Sequence, residues 1–217
     1  MIKAVAGGGG RGTRAVTDQA GLDEAFTRCQ SEATIAFGNG ELYVEEFIQN
    51  ARHVEVQILG DKSSGIVHLG ERECSVQRRY QKFMEIAPSP YLEDSLRTNI
   101  IESAIRLAKR VNYTNLGTFE FLVNADATGD DAFFFIETNA RLQVEHTVTE
   151  AVTGVDIVQA QIQLAEGASI ADVGLDHPNI SVPRGFAIQT RVNMETLLAD
   201  GTVRPAGGTL RSYEAPA

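Results

Sequence analysis

With 217 residues, 43% of them hydrophobic, the chain can bury a sizeable core and has the length of one or two domains. No apolar stretch approaches the roughly 20 residues that span a bilayer, and the N-terminus has no secretory pattern, so a cytoplasmic protein with no membrane partner is expected. A net charge of −10 argues against a general nucleic-acid binder, and two cysteines, Cys29 and Cys74, are too few for a disulfide framework and read as reduced thiols.

The chain opens on Lys3-Ala4-Val5-Ala6-Gly7-Gly8-Gly9-Gly10-Arg11-Gly12-Thr13-Arg14. Glycines at five of the six positions 7–12, with cations before, among and after them, suit a loop whose backbone N–H groups close over nucleotide phosphates. The same composition also serves linkers, and no Gly-Lys-Ser/Thr follows to make a Walker loop. Phosphate-cradling loops join two ordered elements. Only Met1 and Ile2 precede Lys3, so either the start is a boundary within a longer chain or an upstream strand is missing.

Asp18 to about Glu32 is predicted helical, with Leu22, Ala25, Phe26, Cys29 and Ala33 at helical spacing. Leu42 to Ile48 reads as a strand. His53 to Leu59 alternates Val54, Val56 and Ile58 against His53, Glu55 and Gln57, and a turn from Asp61 to Gly65 joins it to Ile66 to Leu69 as a hairpin. Glu71 to Ala87 has no clean period, is mostly polar, and is closed by Pro88 and Pro90. Within it Arg72, Arg78, Arg79 and Lys82 outweigh Glu71 and Glu73, a locally basic strip that is either a solvated loop or a seat for a small anion. Glu93 to Val111 is the clearest helix, carrying Leu96, Ile100, Ala104, Leu107, Ala108 and Val111 along one face. Thr118 to Val123 and Ala132 to Glu137 follow as strands around a polar turn containing Gly129. Val144 to Val152 and Val155 to Glu166 are helices interrupted at Thr153 and Gly154. Gly185 to Asn193 is a further strand, and Pro205 to Gly208 turns into Thr209 to Tyr213. Helices mixed with antiparallel strands make the fold class α+β.

The hairpin around Gly129 carries a geometric expectation. If Leu122 pairs with Phe135, antiparallel register sets Glu120 opposite Glu137, with Cβ atoms about 4.5–5.5 Å apart. Like charges that close are unfavourable unless a divalent cation lies between them, and Mg²⁺ commonly binds through one or two carboxylates plus substrate phosphates. A shifted register would instead leave both side chains solvated. From Glu137 to His146 the chain then places two carboxylates, two amides and a guanidinium where a hydrophobic strand gives way to a helix. Arg141 offers a planar fork for a carboxylate-like anion, with Glu145 as a base beside it. His146 is either a ligand or, as a lone histidine at a helix start, a packing or capping residue.

With these residues in view, the chain resembles the biotin carboxylase component of biotin-dependent carboxylases, a branch of the ATP-grasp superfamily. The segments that carry the resemblance are KAVAGGGGRGTR from Lys3, YVEEFIQNARHVEVQ from Tyr43, ERECSVQRRYQK from Glu71, GTFEFL from Gly117, FIETNARLQVEHTVTE from Phe135 and GFAIQTRVN from Gly185. The resemblance implies ATP- and Mg²⁺-dependent (or Mn²⁺-dependent) carboxylation of carrier-bound biotin by bicarbonate. It implies that Lys3, Gly9 and Gly10 hold phosphates, and that Glu45, Ile48, His53, Gln77 and Tyr80 line the rest of the ATP site. Glu120, Glu137 and Asn139 would bind the metal that bridges the phosphates. Lys82, Arg141, Gln143, Val144 and Glu145 would surround bicarbonate, with Glu145 as base, and Arg191 would meet the biotin ureido oxygen.

The family pattern also implies an ATP-grasp fold in two pieces, residues 1–47 as part of the lid and residues 48–217 as the ATP-grasp core. The chain would then be an internal fragment, and its partners a biotin carboxyl carrier, a carboxyltransferase component and, in the full-length enzyme, further copies of itself. The sequence departs from the pattern at Tyr80, where the motif often has histidine, at Glu46, where many members have lysine, and at Ile86, where many have a second glutamate. A non-enzymatic fragment that binds nucleotide weakly or only packs is the alternative reading. A carbamoyl-phosphate or purine-pathway ligase is a third, disfavoured by RLQVEH together with QRRYQK.

Overall fold

The computed structural model describes residues 1–7, 12–78, 81–127, 132–176, 182–200 and 202–214. Gly9, Gly10, Tyr80 and the turn at Gly129 lie outside the described residues. β1 (Ile2–Ala4) pairs antiparallel with β2 (Thr13–Arg14) on one side and β3 (Leu42–Val44) on the other. The glycine run therefore lies between two adjacent, paired strands of this chain. Gly12 closes the approach to β2 with φ +66°, where a Cβ would lie 2.9 Å from that of Ala4.

α1 (Leu22–Phe37) runs later than the sequence predicts at both ends. Asp18 accepts a hydrogen bond from the Gly21 N–H at 2.9 Å, so it closes a turn ahead of the helix instead of starting it. Nothing stops the helix at Glu32; it ends where Gly38 takes a left-handed φ of +72° and its N–H returns to the Thr34 carbonyl. Cys29 and Ala33 are its buried residues.

The larger sheet is built from β4 (Ala51–Gly60), β5 (Ile66–Arg78), β6 (Gln81–Ala87), β7 (Asn115–Asn124), β8 (Phe133–Asn139) and β9 (Ala187–Thr190). Its strands are antiparallel in the order β8-β7-β4-β5-β6-β9. The polar stretch from Glu71 to Ala87, aperiodic in sequence, is thus the end of one strand and the whole of the next. Two register shifts between Glu73 and Gln77 break the alternation that would have revealed it.

α2 (Asp94–Arg110) covers one face, matching the predicted helix to within one residue at each end. Glu93 caps it by accepting from the Leu96 N–H at 3.1 Å, and Lys109 and Arg110 sit in its last turn. Ile100, Ala104 and Ala108 of α2 pack on Val54, Val56, Ile58, Phe119, Phe121 and Val123. Leu107 and Val111, expected on the same face, are exposed.

The other face receives α3 (His146–Thr153) and α4 (Ile157–Glu166), each ending on a left-handed glycine, Gly154 and Gly167. Ile157, Ala160 and Leu164 of α4 pack on Leu59, Leu69 and Leu116, while Val148 and Val152 of α3 pack on Ala87. Beyond β9, the sequence reading missed a short hairpin, β10 (Glu195–Leu197) with β11 (Val203–Pro205), and Thr209 to Tyr213 forms no regular element.

In β7, Gly117 is required by a close approach: a Cβ there would sit 2.0 Å from the Tyr113 hydroxyl, which donates to the Leu116 carbonyl. Gly117→Ala is expected to displace Tyr113 and cost about 1–3 kcal/mol, read as a lower denaturant midpoint at unchanged slope.

Candidate active site

Because side chains alternate along a strand, residues paired across strands share a face. Four such positions form a row across the middle of the large sheet, facing α3: Arg72 on β5 opposite Glu55 on β4, Glu55 opposite Glu120 on β7, and Glu120 opposite Glu137 on β8. Two irregularities build this row. Gly70 adopts φ +79° at a bulge in the β4–β5 pairing, beyond which Arg72 and Cys74, not Glu71 and Glu73, face inward. In β8 the register shifts by one residue between Phe135 and Glu137. Leu122 accordingly pairs with Phe134 and not with Phe135 as expected, while Glu120 and Glu137 are still directly opposed.

Three carboxylates side by side repel unless cations separate them. Arg72, with no solvent exposure, donates from Nε to Glu55 at 2.6 Å, and its remaining nitrogens reach Gln57, Thr149 and Thr118. Lys82 Nζ lies between Glu55 Oε2 at 2.5 Å, Glu120 Oε1 at 2.9 Å and Glu145 Oε1 at 2.6 Å. Burial favours the neutral amine, but these three carboxylates outweigh it and hold Lys82 above the ordinary lysine range. The strip from Arg72 to Lys82 is therefore neither a solvated loop nor an open basic surface: its two end cations are tied into buried carboxylates.

Glu120 is 3% exposed. Burial alone would raise its pKa, but the bond from His53 and the charge of Lys82 hold it well below the usual carboxylate range. Its Oε1 accepts from Lys82, Asn139 and Gln143, and its Oε2 from His53 Nε2 at 2.6 Å. Gln77 Nε2 donates to His53 Nδ1 at 2.8 Å, which places the imidazole proton on Nε2. Asn139 Nδ2 reaches both Glu120 Oε1 at 2.9 Å and Glu137 Oε1 at 3.3 Å. Glu137 is exposed and has no ion-pair partner among the described residues. The two opposed carboxylates, with an acceptor direction remaining on Glu120 Oε2, are oxygen donors that fit Mg²⁺, and Asn139 would join them with its amide turned, since here Nδ2 faces the carboxylates and Oδ1 faces Arg141.

Glu145, directly before α3, is 2% exposed and pairs with Lys82 and with Arg191 Nη2, the latter at 3.1 Å. Burial raises its pKa, and the charge and hydrogen bond of Lys82 lower it further than that, leaving it ionised. The expectation that Arg141 stands beside Glu145 needs correction. Arg141 is exposed and bonds Asn139 Oδ1, and the guanidinium on Glu145 comes from Arg191, far along the chain. His146 Nδ1 donates to the Gln143 carbonyl at 2.8 Å, a local contact at the start of α3. Val144 is exposed, and Gln143 is buried with its Oε1 unpartnered.

The small sheet presents Lys3 paired to Glu45. Burial and Glu45 raise the Tyr43 phenol. Ile48 is half-buried in the connection to β4, and Glu46 is exposed. Cys74 is buried among Glu55, Lys82, Arg72 and Glu145, and burial pushes its thiol well up. Sequence reasoning missed Glu55, Arg72, Glu85 and Thr149. The alternation of His53 to Leu59 put Glu55 and Gln57 on one face but assigned them no role.

The family model "Carbamoyl-phosphate synthase L chain, ATP binding domain" matches residues 1–173. Pyruvate carboxylase from Aspergillus niger is 54% identical over 195 residues, covering 90% of this chain and 16% of the relative. The biotin carboxylase of Campylobacter jejuni, solved as a β-γ-ATP complex, superposes on all of this chain and 46% of its own, with TM-score 0.86 and 42% identity. The biotin carboxylase domain of 2-oxoglutarate carboxylase from Hydrogenobacter thermophilus, solved with MgADP, ADP and bicarbonate, covers 89% of this chain and 41% of its own, with TM-score 0.81 and 42% identity. The chain thus spans less than half the length of each of these relatives. By family match, identity and fold together, the chain belongs to the carbamoyl-phosphate synthase L chain ATP-binding domain family, on its biotin carboxylase branch, with the ATP-grasp fold.

Proposed function

We propose that this chain supplies the ATP-, Mg²⁺- and bicarbonate-handling core of an enzyme that carboxylates biotin on a carrier protein or domain. The observation that carries the reading is the row Arg72, Glu55, Glu120, Glu137 with Lys82, Glu145 and Arg191 gathered on it. Cations at one end and, at the other, a carboxylate pair of which Glu137 has no cation among the described residues suit a metal-bound polyphosphate placed next to a small anion. Residues 1–47 act as part of the lid and residues 48–217 as the core, in a cytoplasmic enzyme whose partners are a carboxyl carrier and a carboxyltransferase component.

In this reading Lys3, with Gly9 and Gly10, holds phosphate oxygens, and Glu45, Ile48, His53, Gln77 and Tyr80 line the nucleotide site. Glu120, Glu137 and Asn139 would hold Mg²⁺, which would supply positive charge against the phosphate oxygens. Glu145 takes the proton of bicarbonate, whose freed oxygen attacks the γ-phosphorus of ATP, releasing ADP and forming carboxyphosphate. Lys82, Arg141, Gln143 and the Val144 backbone hold the anion during that step. Carboxyphosphate splits to CO₂ and phosphate, phosphate removes the N1′ proton of biotin, and the ureido enolate attacks CO₂. Arg191 meets the negative charge on the ureido oxygen.

The test is ADP formation by the complete gene product that contains this chain. Turnover that requires bicarbonate and is stimulated by biotin is expected, and ATP cleavage indifferent to both would overturn the reading. The metal assignment has its own check on the 217-residue chain. Glu137→Gln should weaken Mg²⁺-dependent ADP binding about tenfold or more by calorimetry, a typical consequence of weakening one charged contact. Glu93→Gln, at the exposed start of α2, should leave it unchanged.

A further inference from the structure

Glu85 has no solvent exposure, yet it belongs to none of the roles assigned above. Along β6, where Met84 to Ala87 pair regularly with Thr190 to Ala187, neighbouring side chains point to opposite faces. Ile86 lies across from Ile188, so of the two positions where the family pattern often carries a glutamate pair, only Glu85 reaches the polar floor. Its Oε1 accepts from Arg191 Nε at 2.7 Å and is ion-paired to Nη2 at 2.6 Å, while its Oε2 has no partner among the described residues. Arg191 is therefore the one described cation that offsets the burial of this carboxylate, and burial still leaves the Glu85 pKa raised. An apolar residue would pack in the same place without that penalty, so the carboxylate is explained by what it does to Arg191.

Arg191 is also held through its backbone, whose N–H donates to the Phe83 carbonyl at 3.0 Å and prolongs the β6–β9 pairing by one residue. With the Nε and Nη2 edge of the planar guanidinium on Glu85, and Nη2 shared with Glu145 Oε2 at 3.1 Å, Nη1 makes no hydrogen bond among the described residues. We propose that Glu85 is a positioning residue: it clamps the Nε edge of Arg191, fixing the guanidinium plane so that the opposite end is presented to the ureido oxygen of biotin. This rests on the biotin reading above. Without the clamp, the arginine is free to rotate onto Glu145 and take that base with it.

The clamp is tested directly in the 217-residue chain by NMR of arginine Nε–H groups, with Arg191 assigned through Arg191→Lys. The Arg191 Nε–H signal is expected to be protected from exchange in the parent, lost in Glu85→Ala and retained in Glu85→Gln, which keeps an oxygen at the acceptor position. In the complete gene product, Glu85→Ala should lower kcat/KM for biotin about 10²-fold, the scale of a roughly 1 Å misplacement of a reacting group. KM for ATP should not move, and Glu85→Gln should recover most of the loss. Protection unchanged in Glu85→Ala overturns the clamp whatever the kinetics. Lost protection with normal kcat/KM for biotin overturns its role in positioning, as does an equal rise in KM for ATP, which marks general disruption. If Glu85→Ala does not fold, Glu85→Gln decides, since loss of the signal there rejects an oxygen clamp. A parent with no biotin-dependent turnover rejects the biotin reading itself, while the Nε–H result still stands or falls separately.

Discussion

Lys82→Met is expected to destabilise the chain by about 3–5 kcal/mol at pH 7, the usual cost of stripping one partner from a buried ion cluster. The ammonium is the shared partner of Glu55, Glu120 and Glu145, which lie on β4, β7 and the start of α3, so its loss is felt by three elements at once. Each carboxylate keeps a further partner, Arg72, His53 and Arg191 respectively, which places the expected cost toward the lower end of that range. The pH dependence separates this cause from simple loss of packing. In the parent, Lys82 has a raised folded pKa, so its contribution is complete below the ordinary lysine value and constant across pH 5–8. Glu120 has a depressed folded pKa, so its contribution is present above the ordinary carboxylate value and is lost as pH falls below it. In Lys82→Met the clustered carboxylates repel without the ammonium, their folded pKa values rise, and the folded state binds protons the unfolded chain does not. The variant should therefore gain stability as pH falls from 7 to 5 while the parent does not. Urea unfolding at pH 5, 6, 7 and 8 measures this, and a deficit independent of pH would mean that Lys82 acts only by filling space.

Glu145→Gln is expected to lower biotin carboxylation by the complete gene product about 10²–10⁴-fold, the range associated with a positioned general base. Glutamine keeps the size of the side chain and an oxygen for Lys82, so α3 should stay seated through Val148 and Val152, and ADP binding should be close to that of the parent. What is removed is the ability to take a proton. Arg191→Ala should produce a comparable loss through a different step, because it deletes the cation proposed to meet the ureido oxygen. The two substitutions part company without biotin: Glu145→Gln abolishes bicarbonate-dependent ATP cleavage, whereas Arg191→Ala spares it. Near-normal carboxylation by Glu145→Gln would remove Glu145 from the role of base.

Features that depend on local regularity were legible in the amino-acid order. The i, i+3, i+4 apolar positions of α2, between a capping glutamate and a closing basic turn, gave its bounds to one residue, because one face is buried and the other solvated. The opposition of Glu120 and Glu137 followed from the antiparallel register around a turn, and survived an error in the neighbouring pairs because the bulge falls outside the Glu120–Glu137 pair. The run from Glu137 to Glu145 announced itself by composition, and six segments in order pointed to the family.

The floor of the site emerged from packing between elements distant in the chain. On β4 both faces are buried, one by the apolar face of α2 and the other by α3 with ion pairs, and in sequence a glutamate satisfied by a buried arginine looks the same as one satisfied by water. The bulge at Gly70 turns Arg72 and Cys74 inward and erases the two-residue period that would have marked β5. Arg191 meets Glu85 across 106 residues of chain and Glu145 across 46, contacts that no local pattern encodes. Periodicity reports which face of an element leaves water; which charge waits on that face is settled by strand order and register, and these join residues distant in sequence.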